Sequence, residues 1–163
     1  MSHRLTGRGA AGSLAAVTAT PPVDRETGGA GSARTETQSI ESDVALDSVV
    51  ALLADPRRLP EWAPAFADTV AGDAQSGWRA IKDGRPFELR VATSTDARTV
   101  DYLREVAPGR EGGANLRAVP RPGGGSVIAM TLHVPSGSDL AVVAATLRDE
   151  LGALAELVIA ASG

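Results

Sequence analysis

The sequence predicts an α+β domain, built from an antiparallel sheet of about six to seven strands and one long C-terminal helix, and three observations carry that prediction. From about Ala67 to Val134, apolar and polar residues alternate in short runs broken by Gly, Pro and Asp, the pattern of strands joined by hairpins. After Ser138 the apolar residues change to helical spacing and keep it to the C-terminus. Ahead of the strands, a first extended run is followed by two short segments of helical spacing bounded by proline.

Met1 to about Ala33 is dominated by Gly, Ala, Ser, Thr and Pro and has no apolar repeat able to bury a face. It reads as a flexible low-complexity tail, residues 1–33, ahead of one domain, residues 34–163. Its apolar stretch, Leu14 to Val17, is far shorter than the roughly 7 to 15 residues of a secretory signal, and the expected location is cytoplasmic. Thr35 to Ser42 reads as extended. In the segment that follows, Leu46, Val49, Val50 and Leu53 recur at helical spacing, and Asp55-Pro56 ends that helix because proline brings no N–H and fixes its own backbone. Pro56, Pro60 and Pro64 then forbid a long helix but admit one short turn between them.

Strands are expected around 67–71, 77–82, 86–93, 98–106, 114–119 and 126–134, with turns at Asp73, Asp83-Gly84, Pro108-Gly109, Gly112-Gly113 and Gly123 to Gly125. In the last strand Ile128, Met130, Leu132 and Val134 share the core face, which turns His133 outward. The closing helix places Leu140, Val143, Ala144, Leu147, Leu151, Leu154 and Val158 on one stripe, away from Arg148, Asp149, Glu150 and Glu156. Ser138 or Asp139 is its N-cap, and about 22 residues give it a length of about 33 Å. Gly152, at a cost of about 1 kcal/mol relative to alanine, implies a close backbone approach or a bend.

Composition narrows the function classes. A chain of 163 residues has room for one core. The absence of cysteine removes disulfides, thiolate metal sites and cysteine nucleophiles, and two histidines, His3 and His133, cannot build a histidine metal centre. No metal and no cofactor are therefore expected. A net charge of −4 argues against nucleic acid as a partner, and the charges within the last helix argue against a membrane span. No nucleophile elbow, phosphate-binding loop, dinucleotide fingerprint or paired-carboxylate site occurs. Aromatic residues amount to only 3%, and all five, Trp62, Phe66, Trp78, Phe87 and Tyr102, fall within positions 62–102, so few large side chains are available to fill a core. Either the scarcity leaves space inside the fold, or it is the codon bias of an Ala- and Arg-rich chain.

The segment VVALLADPRRLPEWAP (Val49 to Pro64), the strand ARTVDYLREV (Ala97 to Val106), the hairpin strand SVIAMTLHVP (Ser126 to Pro135) and the helix after Ser138-Asp139 together resemble the START-like (SRPBCC) superfamily, and within it the bacterial polyketide cyclase/dehydrase relatives. The resemblance covers the chain from about Thr35 onward. It implies a helix-grip fold, in which a curved sheet wraps the C-terminal helix and encloses a hydrophobic cavity for a small apolar, amphipathic or polyketide-like ligand. It also implies a choice of roles: a cyclase or dehydratase using acid–base chemistry, a non-catalytic lipid or quinone carrier or sensor, or an interaction domain similar to chaperone-ATPase activators, as a monomer or a homodimer.

Strand parity selects the candidate site residues. In Val100 to Val106 the more apolar set turns Tyr102 and Arg104 inward, where Arg104 would grip carboxylate or enolate oxygens and Tyr102 would donate a proton beside it. The ordinary alternative is that Arg104 reaches water at the strand end and Tyr102 is plain core. His133 would enter the cavity as a general base only if the strand register slips at Pro135. The ligand-facing wall implied by the resemblance is Trp62, Trp78, Phe87, Leu89, Val100, Met130, Leu147 and Leu151.

Overall fold

The computed structural model describes residues 34–163. The proposed tail, residues 1–33, lies outside the described residues. Strand β1 (Arg34–Ser42) leads into α1 (Leu46–Leu53), a single 3-10 turn (Pro56–Arg58) and α2 (Leu59–Trp62). Six strands follow: β2 (Thr69–Asp73), β3 (Gly77–Lys82), β4 (Arg85–Ser94), β5 (Thr99–Ala107), β6 (Arg110–Pro120) and β7 (Ser126–Val134). Helix α3 (Leu140–Ser162) closes the chain. The strands form one seven-stranded antiparallel sheet in the order β1-β7-β6-β5-β4-β3-β2, which matches the helix-grip expectation.

Local chemistry accounts for the element ends. Asp55 accepts a hydrogen bond from the Arg57 amide at 3.1 Å, so the residue that stops α1 also starts the 3-10 turn that Pro56 continues. Asp139 caps α3 by accepting from the Ala141 amide at 2.8 Å. The alternation in β7 is as expected, with Ile128, Met130 and Val134 buried and His133 exposed. Helix α3 lies against β1, β7, α1 and α2, and Leu147, Leu151, Leu154 and Val158 meet Val49, Leu53, Tyr102, Leu116 and Ile128 in one continuous core. At about 1.5–3 kcal/mol for each buried side chain of this size, that contact fixes the helix to the sheet.

Two sequence expectations are corrected. Gly112-Gly113 is not a turn but part of β6, because Gly113 lies opposite Leu103 with the Tyr102 carbonyl where a Cβ would stand. The hairpin turns at Pro108-Gly109 instead, with Gly109 at φ +70°. Nor does Gly152 mark a close approach: a Cβ there would meet nothing within 4 Å.

One feature of the register positions the site. The half of β4 from Arg85 to Leu89 pairs with β3, and the half from Arg90 to Ser94 pairs with β5. Beyond the Arg90–Leu103 pair the β4–β5 hairpin therefore splays, and β5 from Arg104 onward is bonded only to β6, with an irregularity between Glu105 and Ala107. Among the described residues, no helix is long and apolar enough to cross a membrane.

Candidate functional site: a cavity between helix and sheet

A cavity of about 690 Å³ opens between the N-terminal half of α3, the loop after α2 and the inner faces of β5, β6 and β7. Its size is in the range of small-molecule sites. Trp62, Tyr102, Arg104, Met130 and Leu147 line it, together with Glu150. A second, more open cleft of about 880 Å³ occupies the splay between β4 and β5 and is lined by Trp78, Phe87, Leu89 and again Arg104. The two remaining wall candidates, Val100 and Leu151, each 1% exposed, are core and line neither space.

Tyr102 points inward, but its hydroxyl donates to the Leu53 carbonyl at the end of α1. Burial, with a smaller contribution from the nearby Asp55 charge, pushes the phenol well above its ordinary range. The group is thus a fixed strut, with its proton committed to the backbone. The Trp62 ring lies 6.0 Å from the Tyr102 ring at a tilt of 58°, and its buried Nε1 has no hydrogen-bond partner among the described residues.

Arg104 is half-buried. Its guanidinium carbon stands 5.3 Å from the centre of the Phe66 ring and 5.0 Å from that of Phe87, and the two rings meet edge to face at 5.8 Å. Trp78 is engaged separately by Arg57, whose guanidinium is 5.1 Å from the ring centre. All five aromatic residues of the chain therefore border one of the two spaces. The register of β1 and β7 runs unbroken from Arg34–Val134 to Ser42–Ser126 with Thr35 opposite His133, so the slip that would turn His133 into the cavity is absent, and the exposed ring stands at the rim.

Sequence reasoning missed Glu150, which it assigned to the solvated side of the last helix. Glu150 is only 9% exposed, and the loss of water raises its carboxyl from an ordinary 4.5 to about 7, against a partial counter-pull from the Ala65 backbone amide. The signal was in the spacing. Glu150 follows Leu147 by three residues and precedes Leu154 by four, which puts it on the apolar stripe. A carboxyl that exchanges its proton near neutral pH at the wall of a cavity is equipped for general acid–base work. Among the described residues no cluster of three or more acidic or histidine side chains could hold a metal ion.

The sequence matches the family described as polyketide cyclase / dehydrase and lipid transport over residues 33–158. No curated protein matches it. Several solved structures are similar in fold. A START superfamily protein from Mycobacterium smegmatis is 14% identical, with a TM-score of 0.58 over 76% of this chain and 96% of its own. The Zhui aromatase/cyclase from a Streptomyces species is 17% identical, with a TM-score of 0.57 over 77% and 93%. The Aha1 dimer from Colwellia psychrerythraea is 12% identical, with a TM-score of 0.60 over 77% and 96%.

Proposed function

Because the chain belongs to the polyketide cyclase/dehydrase and lipid transport family, we propose that it binds an apolar or amphipathic small molecule in the 690 Å³ cavity and that Glu150 is the acid–base group acting on it. The observation that carries the reading is a nearly buried carboxyl, poised close to neutrality, in a wall otherwise made largely of apolar side chains. Such a group costs stability and is retained where it does chemistry. In a dehydration, the Glu150 carboxylate removes a proton from the carbon beside a carbonyl and returns it to the departing hydroxyl. Water leaves, a carbon–carbon double bond remains, and Glu150 is restored.

A carrier role is the second reading, favoured by the Tyr102 hydroxyl being tied to the Leu53 carbonyl, which withholds that proton donor from chemistry. One experiment separates the two. Native mass spectrometry of the purified protein identifies the co-purifying compound, and that compound or its hydroxylated precursor is then incubated with the protein and with Glu150→Gln. An enzyme removes one water from the precursor and the variant does not, though both bind. A carrier binds in both forms and converts in neither. A protein that retains and binds nothing overturns both readings.

A further inference from the structure

Arg104 specifies the ligand more closely, on a reading that rests on the cavity proposed above. Whereas Arg57, Arg58, Arg90, Arg98 and Arg121 each hold a carboxylate, Arg104 forms no ion pair and no side-chain hydrogen bond among the described residues. Phe66 and Phe87 pack against its guanidinium and restrict its position, while its N–H donors remain unspent. It is also the first residue of β5 to leave β4, so its side chain borders both the cavity and the open cleft. One side of Arg104 thus faces apolar walls and the other faces a space open to water.

We propose that the ligand is an amphipathic monocarboxylic acid, with its apolar body between α3 and the sheet and its carboxylate on the Arg104 guanidinium at the splay between β4 and β5. A guanidinium fork matches the two oxygens of a carboxylate. Apart from Arg104, the cleft holds Glu88, Glu105 and Glu111 against Arg79 and Arg90, with Arg90 spent on Glu111 at 2.6 Å, so Arg104 is matched to a head group that carries one negative charge. The other arginines that line the cavity have different positions. Arg34 is spent on the Pro135 and Ser138 carbonyls at 3.3 and 2.9 Å, and Arg110 is exposed on the β5–β6 hairpin.

The test is isothermal titration of the full chain with dodecanoate and with dodecanol, which differ only in the head group. Dodecanoate is expected to bind roughly tenfold or more tightly, the ratio that a charge-assisted hydrogen bond supplies. Arg104→Gln abolishes that preference while dodecanol still binds, which also reports that the cavity is intact. Arg104→Lys keeps part of the preference, and Arg110→Gln keeps all of it. Equal binding of the two probes by the unaltered protein, or a preference that survives Arg104→Gln, overturns the carboxylate assignment and leaves the cavity reading in place. Failure of both probes to bind overturns the cavity reading, and this proposal with it.

Discussion

Replacing Glu150 by glutamine should change the way stability depends on pH. In the unfolded chain the carboxyl releases its proton near 4.5, and in the folded chain near 7, because the cavity wall withholds water from the charge. The folded state therefore holds the proton more tightly. Stability associated with the protonated form is fully present below pH 4.5, declines as the pH rises toward 7, and is lost above it. At 1.36 kcal/mol for each tenfold change in proton affinity, the penalty above pH 7 reaches about 3 kcal/mol, or roughly 10 °C in Tm for a domain of this size. Glutamine has the same shape and no charge to bury. Urea unfolding followed by the fluorescence of Trp62 and Trp78 at several pH values between 4.5 and 8 measures the effect. Glu150→Gln should be within about 1 kcal/mol of the unaltered protein at pH 4.5 and up to about 3 kcal/mol more stable at pH 8. The carboxylates held low by partners, Glu61, Asp68, Asp73 and Glu111, are common to both proteins, so their contribution cancels in the difference between the two curves. Parallel pH curves for the two proteins would refute the claim that Glu150 is desolvated.

Three further substitutions test the architecture around the cavity, each by the same unfolding measurement. Tyr102→Phe leaves the Leu53 carbonyl without its hydroxyl donor and should cost about 1–3 kcal/mol, and no loss would mean that the strut carries no weight. Gly152→Ala should stabilise α3 by about 0.5–1 kcal/mol, since its Cβ enters open space, and a destabilised variant would reveal a contact that the fold does not contain. Gly113→Ala should cost more than about 1 kcal/mol and loosen the β5–β6 pairing, because the new Cβ overlaps the Tyr102 carbonyl and no flexible side chain is there to give way.

The fold was legible because its signals are local and repeated. Alternation in β7 and the stripe on α3 each recur over many residues, so one misplaced position does not alter the element. The turn at Gly112-Gly113 was misread because glycine serves two purposes: it permits positive φ in turns, and it leaves room where backbones approach. Only the partner strand decides which applies, and the partner is a tertiary fact. The same reason explains the site. Parity placed Tyr102 and Arg104 on the inner face, but parity cannot say that the Tyr102 hydroxyl meets the Leu53 carbonyl, 49 residues earlier in sequence.

Glu150 is more instructive, since its residue type points to the solvated face of α3 and its spacing points to the apolar stripe. A glutamate on the apolar stripe of a core helix violates local consistency, and in a natural protein such violations concentrate where function requires them. The scarcity of aromatic residues takes a different meaning in the same light. Trp62 and Tyr102 are core side chains, each 1% exposed, that also border the cavity, whereas Phe66 and Phe87 pack as a pair around Arg104 at the edge of open space. A fold with more large side chains at these positions would pack more tightly. It would also lose the cavity that Glu150 and Arg104 both line, one a buried carboxyl and the other a guanidinium without an ion pair among the described residues.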